Sequence, residues 1–474
     1  MMIENTNVDP MVQLCDFVSE TEYDNLSDEV ILYAKHSILD TLGVMIGGSA
    51  MEGIPAVVNY VQEKGGRPES FIICYSGKVP ASEAAMAMGP MSRSMDYAQI
   101  HPEALHCSEH ILPPLLAAAG LRDKVHGKTF LTAFTLGQEV GIRIGIGAKP
   151  MMGQTLSTPI GAGHYIFGCV AGVGKLIDMT FSKLQNAEGI AREMTQPHDL
   201  AMLKPHTHMV KVHHGFIAQD AVNACLLAQA GITGPCREVL SGQRGYLDMF
   251  KWETDSSAIT KELGERWDML DAEVKPYAGT KFLHTSILGI IDQMTNYKFN
   301  PEDIENIHIE QASLGWNLNS TPAARKIGWN PQTFYDCQYS LPFLVASAAY
   351  DQDVFISSFE PESRDRSCIR DLMVRISASE NTNLPDGAVI MTTKLKNGTV
   401  VSHHYHYHDL KGHRSNLFSE EGLINKFKRA MPYSAYCLSE KTIESVIDAV
   451  LNLETVSDVV SAIIRPLSPE NTDS

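Results

Sequence analysis

Three segments of the chain place histidine close to either lysine or acidic side chains. They are DYAQIHPEALHCSEH at 96–110, KPHTHMVKVHHG at 204–215 and KPYAGTKFLH at 275–284. Each segment stands at a break between predicted helices, where side chains from separate elements can converge on a cleft. A set of this composition is suited to removing a proton from the carbon beside a carboxylate.

Removal of such a proton leaves an enolate, which carries additional negative charge. Lysines and protonated imidazoles beside the substrate carboxylates would stabilise that charge in a site from which water is excluded. A histidine with its ordinary pKa near 6.5 can take or give the proton at physiological pH. The three segments therefore predict acid/base chemistry on a small molecule that carries carboxylates.

Each histidine, taken alone, is more often structural than functional, and only the clustering favours a site. The run HHYHYH at 403–408 invites a metal assignment, but alternate residues of a strand face opposite sides of a sheet. An exposed hairpin strand explains the run better, so we predict no metal site. Lys411-Gly-His413-Arg414 fits a basic loop that closes the second domain. Gly161-Ala-Gly163 follows no strand, so a dinucleotide-binding motif is not predicted.

The elements that would position these segments are mostly helical. Ser27 is a plausible N-cap, Asp28 and Glu29 suit the first turn, and apolar residues then recur at helical spacing up to Gly47-Gly48. Two further helices are predicted over 130–146 and 217–230. The pattern is helical again from Ser419 to the region of Leu453.

Strand patterns begin only after about residue 272. Ile307 and Ile309 alternate with polar residues, as do Val374 and Ile376. In VIMTTKLKNGTVVSHHYHYH, two β-prone runs flank Asn397-Gly398, which predicts a hairpin with a type I′ turn. A buried helix is predicted between these strands, over 339–350.

These patterns predict a mainly α fold with two domains, in keeping with the chain's 474 residues. A large all-helical domain would be formed by both chain ends, 1–271 and 411–474. A smaller α+β lid domain would be inserted between them, over 272–410.

The charge balance argues against several partners. The formal net charge is −18, which disfavours nucleic acid and anionic membrane surfaces. No stretch is predicted to span a membrane, and the first residues do not form a secretory signal. Nine scattered cysteines without metal-ligand spacing indicate reduced thiols. We therefore expect a cytoplasmic protein.

At these same segments the chain resembles the MmgE/PrpD family, which includes 2-methylcitrate dehydratase, cis-aconitate decarboxylase and iminodisuccinate epimerase. The resemblance runs from end to end through motifs in the family's order. They are HSILDTLGVMIGGS, DYAQIHPEALHCSEHILPPLLAAA, FGCVAGVGKLIDM, AQDAVNACLLAQAGITGP, KPYAGTKFLH, QYSLPFLVASAAYD and KGHRSNLFSEEGLINKF.

The resemblance implies a homodimer that needs no metal or organic cofactor and acts on a di- or tricarboxylate. Carried over by position, His106 would be the acid/base residue, with Asp96 and Lys211 as further catalytic candidates. Lys275 and His284 would bind substrate. The remaining candidates for substrate binding, His101 and Lys281, stand beside these residues in the first and third segments.

Departures from the family pattern leave the reaction open. Ala98, Gln99 and Ile100 replace two acids and a threonine of the family motif, and a family histidine falls at Pro159, five positions before His164. We expect a lyase that dehydrates a 2-methylcitrate-like acid or decarboxylates a cis-aconitate-like acid. One alternative is an epimerase or isomerase that moves an α-proton, and another is a catalytically degenerate carboxylate-binding relative.

Overall fold

The computed structural model describes residues 9–148, 162–195, 207–249, 254–321 and 329–469. The described chain is mainly helical with small sheets, which confirms the predicted fold class. The helices are α1 (Pro10–Glu20), α2 (Asp28–Gly48), α3 (Ile54–Lys64), α4 (Ala81–Ser94), α5 (Ser108–Ala119), α6 (Gly127–Ala148), α7 (Tyr165–Leu176), α8 (Phe181–Met194), α9 (Met209–Gln229), α10 (Tyr246–Met249), α11 (Ser256–Thr260), α12 (His284–Tyr297), α13 (Ser313–Asn319), α14 (Phe334–Gln338), α15 (Leu341–Asp351), α16 (Ile356–Phe359), α17 (Pro361–Arg364), α18 (Ser367–Met373), α19 (Glu420–Ala430) and α20 (Glu440–Leu451). The strands are β1 (Ser70–Phe71), β2 (Lys78–Val79), β3 (Ile100–His101), β4 (Leu105–His106), β5 (Ile304–Gln311), β6 (Ile376–Glu380), β7 (Val389–Leu395) and β8 (Val400–Tyr405).

Helix α2 begins where the sequence predicts. The Ser27 hydroxyl accepts a hydrogen bond from the backbone N–H of Val30 at 3.3 Å, and Asp28 and Glu29 occupy the first turn. A serine N-cap contributes about 1 kcal/mol to helix stability, and the two acids face the positive end of the helix dipole. The helix ends at Gly48, so both predicted boundaries are confirmed.

By length and mean hydropathy alone, α2 meets the criterion for a membrane span, which the sequence patterns did not predict. In the fold, 83% of its most apolar window is buried inside the protein. Its apolar side chains are therefore covered by neighbouring helices, which gives this composition a structural reason.

Glycines bring α4 and α9 into backbone contact. A Cβ atom on Gly215 of α9 would lie 2.5 Å from the carbonyl oxygen of Met86 in α4. A Cβ atom on Gly89 of α4 would lie 2.6 Å from the carbonyl oxygen of His214. Because real Cβ contacts are longer than this, only glycine allows the two helices to lie so close. The contact holds α9 against the helix that leads into the first histidine segment.

Helix α9 begins earlier than predicted. The prediction placed a helix at 217–230, whereas α9 starts at Met209. Lys211, His213 and His214 are buried in its first turns. Prediction from the periodicity of apolar residues misses a helix face whose buried residues are basic.

The second half contains one sheet of four strands in the order β6-β5-β7-β8. Strands β5 and β6 are parallel, and the other two neighbouring pairs are antiparallel. The predicted strand at Ile307 and Ile309 is confirmed within β5. Val374 is 84% exposed and precedes β6, which starts at Ile376, so the predicted strand there was two residues too long.

The predicted hairpin is confirmed between β7 and β8, but the predicted type I′ turn is wrong. Gly398 has φ 89°, whereas the φ of Asn397 is not positive, although a type I′ turn requires positive φ at both residues. The Gly398 N–H donates to the Leu395 carbonyl at 2.9 Å, and the Leu395 N–H donates to the Thr399 carbonyl at 2.8 Å. A type I turn followed by one left-handed glycine, the usual three-residue hairpin loop, accounts for this geometry.

The C-terminal helices lie against the first helices of the chain. Lys426 of α19 forms a buried ion pair with Asp40 of α2 at 2.6 Å. The Gly127 N–H donates to the Val456 carbonyl at 2.8 Å. The predicted helices at 339–350 and after Ser419 are confirmed as α15, α19 and α20. The division into a helical domain made from both ends and an inserted lid stays a prediction.

Candidate active site

A buried ion cluster forms where the first and third histidine segments meet. Arg93 Nη1 lies 2.5 Å from Asp96 Oδ1, and the ammonium group of Lys275 donates to the same oxygen. Lys275 also donates to the carbonyls of Asp96 and Gly279, each at 3.3 Å. Burial would raise the pKa of Asp96, but the charges of Arg93 and Lys275 outweigh it and hold this pKa below its ordinary value. The Asp96 side chain is therefore ionised at neutral pH.

The backbone at Asp96 supports this cluster. Asp96 has φ 47°, in the left-handed region, which aspartate tolerates better than most residues. Its carbonyl accepts a hydrogen bond from the Gly279 N–H at 3.0 Å. The segment after α4 and the segment before α12 are thus joined by main-chain and side-chain contacts at one point.

Glu109 lies beside this cluster in the first turn of α5. Its Oε1 atom is 2.7 Å from His106 Nδ1, 3.0 Å from His214 Nε2 and 3.7 Å from Arg93 Nε. Burial alone would raise the pKa of Glu109, but contact with His106 and the charge of Arg93 lower it to about 2. The two imidazoles therefore face a charged carboxylate.

His106 is the accessible member of the group. It belongs to the short β3–β4 hairpin, where it pairs with Ile100. Its side chain is 20% exposed, against 2% for the side chains of Asp96 and Lys275. Burial lowers the pKa of His106 and the Glu109 carboxylate opposes that shift. A partly exposed, neutral imidazole beside a carboxylate can accept a proton from a bound molecule.

A cavity next to the cluster contains three of the predicted substrate-binding residues: Lys275, Lys281 and His284. Its opposite wall is the segment after β8, through Tyr407, Leu410, Lys411 and His413. The cavity is thus lined by basic groups from two parts of the chain, with Glu273 as the acidic group among them.

The lysine and histidine in this cavity differ in charge. Burial lowers the pKa of Lys281 to about 8, so its ammonium group is mostly protonated at neutral pH. Burial and the charge of Lys275 lower the pKa of His284 to about 3. His284 Nε2 lies 3.2 Å from the Gly279 carbonyl, which can only accept, so this nitrogen carries the proton. His284 is therefore neutral, and the positive charge comes from the lysines.

Glu273 is held by the segment after β8. The Tyr407 hydroxyl donates to it at 2.6 Å, and His413 Nε2 lies 3.2 Å away. The basic loop predicted at 411–414 therefore lies on the cavity wall, and Arg414 continues the contact through Asp271 at 2.8 Å.

His101 makes contacts of a different kind. It is 1% exposed, and its Nδ1 accepts hydrogen bonds from the backbone N–H groups of Glu103 at 3.1 Å and Ala104 at 3.0 Å. Burial, followed by the charge of Lys281, lowers its pKa to about 4. These bonds fix the turn that presents His106, and substrate binding by His101 stays a prediction.

Lys211 is buried one helical turn before His214 but makes other contacts. Its ammonium group donates to the Glu52 carbonyl and lies 3.9 Å above the centre of the Tyr335 ring. Burial lowers its pKa to about 7. Within the described ranges, these contacts do not join Lys211 to Asp96 or His106. The first part of its segment, 204–206, lies outside the described residues, as does Pro159.

Two family models match the chain: the MmgE/PrpD N-terminal domain over residues 12–257 and the MmgE/PrpD C-terminal domain over residues 277–453. The chain belongs to the MmgE/PrpD family. This confirms the resemblance found in its motifs.

Curated relatives of this MmgE/PrpD chain share about a quarter of its residues. A cis-aconitate decarboxylase-like protein, oryM, from Aspergillus oryzae is 26% identical over 76% of this chain and 77% of its own length. Cis-aconitate decarboxylase from Aspergillus terreus is 25% identical over 78% of each chain. Cis-aconitate decarboxylase from Homo sapiens is 24% identical over 95% of this chain and 93% of its own length. These similarities support a lyase-type role.

Several groups in this MmgE/PrpD site were not assigned a role from the sequence. Arg93, near the end of α4, stands three residues before Asp96, and Glu109, in the first turn of α5, stands three residues after His106. Tyr339, whose hydroxyl accepts a hydrogen bond from Arg93 at 3.1 Å, lies far away in the chain. The spacing could have indicated Arg93 and Glu109, whereas no local signal indicates Tyr339.

One group of side chains has the composition of a metal site. Ligand atoms of Glu109, His110 and His214 lie within 4.8 Å of one another. The rings of His110 and His214, however, are stacked at 3.8 Å with an interplanar angle of 11°. A metal ion binds an imidazole nitrogen in the plane of its ring, and one ion cannot lie in two parallel planes at this separation. The arrangement therefore does not fit joint binding of an ion by both histidines.

Proposed function

We propose that this protein is a lyase that removes CO₂ from a cis-aconitate-like tricarboxylate. The observation that carries the proposal is Lys275, which lines a small cavity with Lys281 and His284 and also belongs to the buried ion cluster whose charges act on His106 and Glu109. The names of the curated relatives favour decarboxylation over dehydration of a 2-methylcitrate-like acid.

The proposed chemistry assigns a separate task to each group. Lys275 and Lys281 would bind substrate carboxylates, and His284, whose N–H faces the Gly279 carbonyl, would contact the bound acid through Nδ1, which can only accept a hydrogen bond. The bond between the leaving carboxylate and its carbon breaks, CO₂ departs, and the electron pair delocalises into the adjacent C=C bond. His106, having taken up a proton from solvent, would then deliver it to carbon as an imidazolium and return to its neutral form. The buried lysine charges would stabilise the transient carbanion, as preorganised charges do in low-dielectric sites.

The test is direct incubation with cis-aconitate, citrate and 2-methylcitrate. We expect cis-aconitate to yield CO₂ and an unsaturated dicarboxylate. Chromatography would identify the dicarboxylate, and the change in enoate absorbance would give the rate. His106→Gln should reduce the rate at least about a hundredfold, in the range of a general acid/base contribution. His126→Gln, at an exposed position, serves as the matched control. Absence of turnover of all three acids by the wild-type protein would refute the lyase proposal.

A second candidate is an isomerase that moves an α-proton without loss of CO₂ or water. Positions 98–100 favour it, because Ala98, Gln99 and Ile100 are buried and offer no acid to assist a leaving group. Incorporation of deuterium from solvent into an otherwise unchanged acid would identify this activity. Tight binding of a tricarboxylate without any exchange or turnover would instead indicate a carboxylate-binding relative.

We also propose an oligomeric state, roles for two further residues and a location in the cell. A homodimer is expected from the family resemblance, and light scattering would measure its mass. Asp96 would hold Lys275 in place, and Lys211 stays a catalytic candidate that would hold a substrate carboxylate. Lys211→Met should then raise KM more than it lowers kcat. A cytoplasmic location is proposed from the acidic charge and the scattered cysteines.

A further inference from the structure

Glu109 occupies a position between two imidazoles that the chemistry proposed above leaves unexplained. The carboxylate is completely buried, and its Oε1 atom contacts both His106 and His214. It is carried by α5, whereas His214 comes from α9, and the glycine contact between α4 and α9 holds that helix in place. One oxygen of Glu109 thus joins imidazoles from two separate parts of the fold.

A buried carboxylate in this place changes what His106 can do. An imidazole removed from water resists protonation, because a charged ring is poorly solvated in the interior. A carboxylate oxygen 2.7 Å from Nδ1 offsets that cost when the ring becomes positive. The neighbouring Arg93, Lys275 and His110 act in the opposite direction, since positive charge or a second imidazole next to His106 disfavours an imidazolium.

We propose that Glu109 is a positioning residue: it orients His106 and stabilises the imidazolium that forms whenever His106 holds the transferred proton. The proposal rests on the acid/base role proposed for His106. In the protonation step, the proton passes from His106 Nε2 to the substrate carbon, whose electron pair forms the new C–H bond, and His106 returns to neutral. Glu109 stays ionised throughout, and His214 contacts the same carboxylate oxygen at 3.0 Å.

The first experiment compares Glu109→Gln, Glu109→Asp and the wild-type protein in steady-state kinetics on cis-aconitate. Glutamine keeps the size and loses the charge, whereas aspartate keeps the charge on a shorter stem. We expect kcat to fall at least about tenfold in Glu109→Gln with KM within about threefold, because the effect lies in proton transfer. Glu109→Asp should recover part of the lost kcat. A structural role would reverse this order, since glutamine fits the space better.

The matched control is Glu139→Gln. Glu139 is also a completely buried glutamate, paired with Arg143 at 2.6 Å and with the backbone N–H groups of Asp268 and Met269. Glu139→Gln also removes a buried negative charge, but kcat measured per folded molecule of this variant should equal that of the wild type. Equal kcat in Glu109→Gln and the wild type, or equal losses in the two glutamine variants, would overturn the proposal.

A second measurement is independent of turnover. With histidine labelled at ring carbon Cε1, the NMR resonance missing from His106→Gln identifies His106, and circular dichroism verifies folding of each variant. The pH midpoint of that resonance should fall by at least about one unit in Glu109→Gln, as expected on removal of a close opposite charge. An unchanged midpoint would overturn the role of Glu109 even if no substrate is found. A lowered midpoint in a protein that turns over none of the acids would support Glu109 while refuting the lyase proposal.

Discussion

The charge balance of the Arg93–Asp96–Lys275 cluster predicts an unequal response to removing its members. Asp96→Asn leaves two buried cations, Arg93 and Lys275, facing a neutral amide. Asparagine tolerates the left-handed backbone of Asp96 as well as aspartate does, so the substitution adds no backbone strain. Leaving a buried charge without its partner costs about 3–5 kcal/mol. Because Lys275 loses this carboxylate while Arg93 keeps Glu109 at 3.7 Å, we expect a loss in the free energy of unfolding of about 3–5 kcal/mol.

Lys275→Met should cost less. Asp96 keeps Arg93 at 2.5 Å, and methionine fills much of the space of the lysine stem. The expected loss is below about 3 kcal/mol, the lower limit for an unpaired buried charge. Asp365→Asn is the control, because this carboxylate lies 53% exposed beside Arg364 and should change stability by about 0.5 kcal/mol or less.

Urea titration followed by far-ultraviolet circular dichroism measures all three variants under the same conditions. The predicted order of transition midpoints is Asp365→Asn, then Lys275→Met, then Asp96→Asn at the lowest urea concentration. An Asp96→Asn midpoint equal to that of the wild type would refute the view that Asp96 neutralises both cations. So would a larger loss in Lys275→Met than in Asp96→Asn.

Two further predictions concern α9. Burial lowers the pKa of Lys211 to about 7, whereas a lysine in the unfolded chain titrates near 10.4. Between these two pH values the unfolded state binds more protons than the folded state. The free energy of unfolding should therefore rise with pH in this range. Urea titrations at several pH values should show this rise in the wild type and its loss in Lys211→Met. A parallel rise in both proteins would contradict Lys211 as the source of the pH dependence. Gly215→Ala should separate α4 from α9, because its Cβ would lie 2.5 Å from the Met86 carbonyl oxygen. Overpacking of this kind lowers the free energy of unfolding by about 1–3 kcal/mol. Gly315→Ala, whose Cβ would meet its neighbours only at 3.5 Å, is the control in thermal unfolding, and equal melting temperatures for the two variants would contradict the close-contact explanation.

Elements with a clear apolar period and a local signal at their ends were predictable. Ser27 marked the start of α2, and Asn397-Gly398 marked the hairpin, although the turn type depends on how the two strands twist and not on the dipeptide alone. The start of α9 was not predictable in the same way. Its first turns bury Lys211 and His214, and a pattern based on apolar residues assigns such residues to the surface.

All three histidine segments were predicted to converge, and the structure places Asp96 in contact with Lys275 and His214 of the second segment in contact with Glu109. Lys211, also from the second segment, makes different contacts. Its contacts are the carbonyl of Glu52 and the ring of Tyr335, and neither residue stands in a segment with a chemical pattern. Contacts to backbone carbonyls leave no signal in the sequence, so they emerge only from the fold.

The bond from Lys426 to the carbonyl of Tyr97 bears on how this protein is synthesised. It spans 329 residues at 2.8 Å and secures the residue directly after Asp96, while Lys275 reaches Asp96 across 179 residues. A nascent chain on the ribosome has none of these long-range partners when its first helices emerge. Asp96 therefore has Arg93 close by from the start but gains Lys275 only after a further 179 residues, and Tyr97 gains Lys426 only after most of the polypeptide has been translated.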